Sequence, residues 1–309
     1  RGPMSASTLI LLSYGLLAIF AVFFVLKTLK MARMPVHLRW ELSPVPHEKG
    51  RGHYGGSYLE DSEWWTKPRE KDHVQEGVYM FKEILFLKAL FEHKRSLWWF
   101  SFPFHFGMYV LIAAVALLVL GGLGTAVGFV SPENWLISRA LPVLSIIGYT
   151  LGLLGAVGLL LRRLSDSGMA NSTTRATYFN IILPASLFAT GLWAVVSVSD
   201  FSGQVVGFVG ALFTADMSVQ LAGILKAHFL ISFFFLAYLP FTQMMHFVAK
   251  YFTYHEVRWD DNPVDDKMEK ELLELLGQKP TWAAPHVRAD GNKTWVDIAT
   301  DTGAQEAEK

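Results

Sequence analysis

The chain has 309 residues, of which 52% are hydrophobic and 17% charged. This composition is more apolar than that of an average soluble domain and predicts an integral membrane protein. Basic and acidic residues are equal in number, 27 each, so no bulk positive charge indicates nucleic-acid binding. The absence of cysteine excludes disulfides, cysteine-ligated iron–sulfur clusters and the attachment of a c-type haem, so a redox centre here would need histidine or methionine ligands.

Five apolar runs are long enough to cross a bilayer as helices. The first, residues 8–26, is followed rather than preceded by basic residues, which favours a membrane span over the alternative of a cleaved leader. The other runs cover residues 97–123, 140–161, 178–198 and 226–250. Residues 199–221 are apolar but interrupted by Gly and Asp, so we interpret them as an interfacial or partly re-entrant connection.

Two regions of the chain are hydrophilic: residues 28–92, between the first two spans, and residues 251–309, after the last span. Within the first, residues 74–94 have apolar side chains at helical spacing among charges, which predicts an amphipathic helix leading into the second span. In the second, a short helix is predicted at 267–276 and the remainder is expected to be extended and partly disordered. The predicted organisation is a first transmembrane helix (1–27), a polar region (28–92), a four-helix membrane bundle (93–250) and a polar tail (251–309).

Basic residues are concentrated at one set of span ends. These residues are Lys27, Lys30, Arg33, Lys94, Arg95, Arg162, Arg163, Arg175, Lys250 and Arg258. The opposite ends have only Arg139 and Lys226. Because cytoplasmic ends are enriched in Lys and Arg, we predict an all-α membrane protein of five transmembrane helices, with the N-terminus outside and the C-terminus cytoplasmic.

Four of the ten histidines lie in or at the ends of predicted spans, where ionisable residues are costly and are candidates for function. His93 and His105 belong to the second span, and His228 and His246 to the fifth. Antiparallel helices then pair His93 with His246 near the inner surface, and His105 with His228 further out. One imidazole from each of two facing helices is the arrangement that gives six-coordinate haem iron its two axial ligands, so two stacked haems are predicted.

The two helices space their histidines differently, by about 18 Å and about 27 Å along straight helices. A kink at Pro103 is expected to absorb part of this difference and to turn the side chain of His105 toward the fifth span. Gly107 is expected to let a flat macrocycle approach the backbone.

Four short motifs carry a resemblance to a known family: E-H-K-R at 92–95, F-H-F-G at 104–107, K-A-H at 226–228 and M-M-H-F at 244–247. Together with five spans, they resemble the gamma subunit of respiratory nitrate reductase and its relatives in sulfite-reduction-associated and heterodisulfide-reductase-like complexes. The resemblance covers roughly residues 90–250.

The resemblance implies a multi-pass protein of the cytoplasmic (inner) membrane of a prokaryote. Such a protein would bind two haem b groups, exchange electrons with menaquinone or a related quinone, and attach to a cytoplasmic iron–sulfur subunit. The long polar region at 28–92 and the 12-residue interval between His93 and His105 favour the heterodisulfide-reductase-like branch.

Four basic residues are candidate cofactor contacts. Lys226 could bond a quinone carbonyl or a haem propionate, or its ammonium could simply snorkel to the interface. Arg95, Arg162 and Arg163 could pair with propionates of the inner haem, although the positive-inside topology also accounts for them.

Two other functions remain as alternatives. A proton or metal transporter or channel could use the same histidines, but such proteins are expected to show inverted repeats and carboxylates at mid-membrane, and neither is evident here. A structural membrane anchor would tolerate His105→Ala and His228→Ala, whereas the dihaem hypothesis expects either change to remove one haem.

Overall fold

The computed structural model describes residues 5–34, 48–50, 61–68, 70–131, 134–252, 265–280 and 289–301. Its helices are α1 (Ala6–Ala32), α2 (His73–Phe86), α3 (Lys88–His93), α4 (Arg95–Ala126), α5 (Leu141–Ser165), α6 (Ser167–Ser172), α7 (Arg175–Ser197), α8 (Phe201–Thr214), α9 (Gly223–Tyr238), α10 (His246–Phe252), α11 (Asp266–Leu276) and α12 (Trp295–Thr300). Short 3₁₀ turns lie at Trp64–Thr66, Leu239–Phe241 and Gln243–Met245, and a π-helical turn at Leu136–Ala140 leads into α5. No β-strand occurs within these ranges.

Five helices are long and apolar enough to cross a membrane, which confirms the five predicted spans. They are Ala6–Ala32, Arg95–Ala126, Leu136–Ser165, Arg175–Ser197 and Gly223–Phe241. Large apolar side chains on them remain exposed, including Leu120 at 67% and Leu154 at 63%. Extended apolar surface of this kind is suited to contact with lipid chains.

The chain divides into two compact units. One contains Arg1–Lys30 and Asp72–Ala249, and the other combines Met31–Lys71 with Lys250–Lys309. The second unit therefore joins most of the first polar region to the polar tail, and it contains the predicted helix at 267–276 as α11. In the same unit Lys49 bonds Glu70 at 2.6 Å, and this hydrogen bond lowers the pKa of the Glu70 carboxyl.

Glycine residues allow the backbones of α4 and α5 to approach closely. A Cβ built on Gly107 would lie 2.7 Å from the carbonyl oxygen of Gly148, and one built on Gly155 would lie 2.6 Å from the Cα of Phe104. Small residues at such positions are typical of helix interfaces in membranes, where close van der Waals packing drives association. The α5 helix therefore fixes the position of the α4 segment that carries His105.

The segment predicted as an interfacial or re-entrant connection forms α8 instead. Val206 and Phe208 of this helix are fully buried, and the ring of Phe208 packs against that of Phe229 in α9 with ring centroids 4.3 Å apart. Asp200, read from sequence as an interruption, caps the helix by accepting the N–H of Gly203. The polar residue thus starts a helix that belongs to the core of the bundle.

The amphipathic helix is present as α2, but it stops at Phe86 rather than leading directly into the second span. Leu87 adopts a left-handed conformation, φ 51° and ψ 51°, which breaks the helix before α3. Side chains of α4 satisfy carbonyls at this end: Tyr109 donates to Ile84 at 2.8 Å and Trp98 donates to Phe86 at 2.7 Å. These hydrogen bonds dock the end of α2 onto α4.

Candidate functional site

The fifth span does not continue as one helix to His246. After α9, two 3₁₀ turns flank Thr242, which is extended with φ −117° and ψ 170°. Pro240, in the first turn, has no N–H to extend the helical ladder. His246 then begins α10, so it does not share a helix face with His228, and the spacing predicted from a straight helix does not apply.

The structure places His246 beside His105. Their ring centroids are 6.1 Å apart and the ring planes are inclined by 73°. The structure does not bring together the pairs predicted from the sequence, His93 with His246 and His105 with His228, because that prediction assumed two unbroken helices.

A hydrogen bond at Nδ1 orients each of these two imidazoles. The Nδ1 atom of His105 lies 2.7 Å from the carbonyl oxygen of Ser101, and that of His246 lies 3.1 Å from the carbonyl oxygen of Gln243. A carbonyl can only accept, so Nδ1 carries the proton and the lone pair of each neutral ring is on Nε2. Metal-binding histidines are commonly held in this way, with the other ring nitrogen bonded to a carbonyl or a carboxylate.

The distance between the two rings fits a single metal ion between them. Imidazoles that bind a metal from opposite sides, with metal–nitrogen distances of about 2 Å, have ring centroids about 6 Å apart. The described ranges contain no group of three or more His, Cys, Asp or Glu able to hold a metal ion. A two-imidazole site fits haem, because the porphyrin occupies the remaining coordination positions of the iron.

His228 has a different environment. It is 7% exposed, its Nε2 lies 2.9 Å from the hydroxyl of Tyr149, and its Nδ1 lies 3.2 Å from the hydroxyl of Thr190. The two hydroxyls come from α5 and α7, and the sequence analysis did not identify either residue. In the sequence, only the presence of hydroxyl side chains inside apolar spans could have indicated these two residues. Because hydroxyls engage both of its ring nitrogens, His228 does not fit the role of an iron ligand.

Two further predictions differ from the structure. His93 is exposed at the end of α3, and Lys94, with φ −148° and ψ 60°, separates it from α4. Pro103, where a kink was predicted, lies inside the continuous helix α4. Gly107 faces Gly148 of α5, so the space predicted for a flat macrocycle is occupied by a neighbouring helix.

Arg162 has an unusual environment on α5. It lies one turn beyond Gly158, where the aromatic ring of Phe100 in α4 packs. Its Nη2 atom lies 3.5 Å from Asp166, while its buried Nε has no hydrogen-bond partner among the described residues. A buried guanidinium N–H normally has a partner, so this atom marks a position suited to an anionic group.

The other candidate cations have different contacts. Arg163 donates to the carbonyl of Leu159 in its own helix at 3.4 Å. Arg95 stands over the ring of Phe91, 4.3 Å from its centroid. Lys226 lies in the first turn of α9 and is partly buried.

Comparison with known proteins adds one match. The family model described as the nitrate reductase gamma subunit matches residues 89–260. No curated protein matches the chain. No solved structure matches it either. The matched segment includes the second to fifth spans and all four histidines singled out from the sequence, and it covers more than half of the chain. The chain therefore belongs to the nitrate reductase gamma subunit family, the membrane subunits of nitrate reductase-type oxidoreductases.

Proposed function

We propose that this protein is the cytochrome b subunit of a membrane-bound quinone oxidoreductase complex. It carries electrons between a menaquinone-type pool and a cytoplasmic iron–sulfur partner of the heterodisulfide-reductase-like kind. The chain has no cysteine for a cluster of its own, so the next electron carrier belongs to another subunit.

The observation that carries this proposal is the facing pair of His105 and His246. Their separation of 6.1 Å and their Nδ1 hydrogen bonds to carbonyls suit two imidazoles that would together hold the iron of one haem b. When bound, haem supplies reversible one-electron transfer. The protein's contribution is to fix both ring orientations and to exclude other iron ligands.

Arg162 is the proposed partner of a haem propionate. Its buried Nε lacks a partner among the described residues, and pairing with a carboxylate would satisfy it. Arg163 and Arg95, with their own helix carbonyl and aromatic contacts, are assigned to cytoplasmic anchoring of the spans.

Lys226 is the proposed donor to a quinone carbonyl near the outer surface. Quinones bind in apolar clefts that provide a few polar groups, and an ammonium in the first turn of α9 is such a group. The outer location follows from the predicted orientation of the fifth span.

The proposed docking surface for the soluble partner is the unit formed by Met31–Lys71 and Lys250–Lys309. Grouping of these two polar regions into one unit supports their location on the same side of the membrane. The basic residues at the adjoining span ends indicate that this side is cytoplasmic.

A spectrum tests the proposal directly. The full chain, purified after haem-replete expression, should give the reduced-minus-oxidised spectrum and pyridine haemochrome of b-type haem. His105→Ala and His246→Ala should each replace the low-spin spectrum by a high-spin one or lower the haem content, because six-coordinate iron needs both imidazoles.

His73→Ala is the matched control. His73 is an exposed histidine of α2 whose Nδ1 lies 3.3 Å from Glu76, so its replacement should leave the haem content unchanged. Folded wild-type protein without haem would overturn the proposal and would favour a proton or metal path instead.

A further inference from the structure

Each ring nitrogen of His228 has a side-chain hydroxyl as its hydrogen-bond partner. The hydroxyl of Thr190 lies 2.8 Å from the carbonyl oxygen of Ser186 and 3.1 Å from that of Leu187, both in α7, so its single proton is donated to a backbone carbonyl. The same hydroxyl oxygen therefore accepts from His228, which places the proton of the imidazole on Nδ1.

The other ring nitrogen is then an acceptor. With its proton on Nδ1, His228 presents a lone pair at Nε2, and the Tyr149 hydroxyl donates to it at 2.9 Å. The donors run in one direction from Tyr149 through His228 to Thr190 and Ser186. This chain of hydrogen bonds links α5, α9 and α7 in the interior of the bundle.

The fold makes room for the phenol in this position. A Cβ built on Gly191 of α7 would overlap the ring of Tyr149, so only glycine leaves the necessary space. The Tyr149 and His228 rings meet edge to face with centroids 5.3 Å apart. Their contact is therefore supported by packing as well as by the hydrogen bond.

Iron ligation by His228 would have to disrupt this arrangement. Its Nε2 would have to leave Tyr149, and a buried hydroxyl without a partner costs about 1–3 kcal/mol. A second axial ligand would also be needed. Within the described part of the chain, the rings in contact with His228 are Tyr149 and Phe229, and neither is an imidazole.

We propose that the protein binds one haem, between His105 and His246, and that His228 is a buried link between α5, α7 and α9 rather than an iron ligand. This inference rests on the proposed function, because it requires a haem at the first pair. It replaces the two-haem arrangement expected from the sequence.

The test is the number of haems per chain in the purified full-length protein and in two variants. We expect one haem in the wild type and a single low-spin signal in its electron paramagnetic resonance spectrum. His228→Asn should keep that ratio and that signal while lowering the midpoint temperature of unfolding. His246→Asn, the same change at the histidine that begins α10, should lower the ratio or replace the low-spin signal by a high-spin one.

Tyr149→Phe covers the case in which His228→Asn does not fold. It removes the donor hydroxyl and keeps the ring that fills the space at Gly191, so it should also retain one haem with lower thermal stability. Two haems in the wild type, or loss of haem on changing Tyr149 or His228, would overturn the inference. No haem in folded wild-type protein would instead overturn the proposed function on which it rests.

Discussion

Individual hydrogen bonds distinguish histidines that the sequence treats alike. His105 and His246 direct Nδ1 to backbone carbonyls, which leaves Nε2 as the atom that would bind iron in the proposed function. His228 uses Nδ1 and Nε2 for two hydroxyls from other helices.

The Arg162→Gln variant tests whether Arg162 pairs with a haem propionate. Removal of a nearby positive charge favours the oxidised haem, so the midpoint potential should fall, on the order of tens of millivolts. A redox titration followed by absorption measures the shift.

Arg163→Gln is the control for this prediction. It removes the same charge from the next residue of α5, but Arg163 bonds a carbonyl of its own helix. Its potential should stay close to that of the wild type, and equal shifts in the two variants would contradict a specific role for Arg162.

Helix interruptions and close helix contacts determine the positions of His105 and His246. The break around Thr242 brings His246 to His105, and the break at Lys94 separates His93 from the second span. The glycines of α5 set how closely α4 packs against α5. Gly155 lies against the backbone of Phe104, the residue before His105.

Gly155→Ala should disturb the site through this contact. The added methyl group would meet the backbone of α4, and overpacking of this kind typically costs about 1–3 kcal/mol. We expect lower thermal stability in detergent and a reduced haem-to-protein ratio, measured on the same sample.

Gly207→Ala provides the comparison. A Cβ at Gly207 of α8 would meet nothing within 4 Å, and alanine favours a helix more than glycine does. Stability and haem content should be unchanged or slightly higher. A similar loss in both variants would argue against close α4–α5 packing as the cause.

The orientation of the spans across the membrane is a property of the whole molecule. Five spans place the two polar regions on one side, and both contribute to one compact unit. In the predicted orientation, with the N-terminus outside, the connection between α8 and α9 would lie on the outer side and the connection between α6 and α7 on the inner side.

Single-cysteine labelling can measure this orientation, since the chain has no native cysteine. In right-side-out spheroplasts, Ser218→Cys should react with a membrane-impermeant maleimide, and Ser172→Cys should react only after permeabilisation. Both serines are exposed in the structure, so access to the side chain does not limit either reaction. The reverse pattern would invert the predicted topology.

The sequence by itself determined the number and the approximate limits of the spans, because apolar length is a property of a continuous segment. It also singled out the four histidines, since an ionisable residue in an apolar run is visible without a structure. The match of the family model to residues 89–260 supports the same family-level interpretation.

Only the tertiary structure decided which histidines meet. Pairing from the sequence extrapolated straight helices, and the turns around Thr242 and the break at Lys94 invalidate that extrapolation. The partners of His228 lie 79 and 38 residues away along the chain. Contacts at that separation depend on how whole helices pack, which local periodicity does not encode.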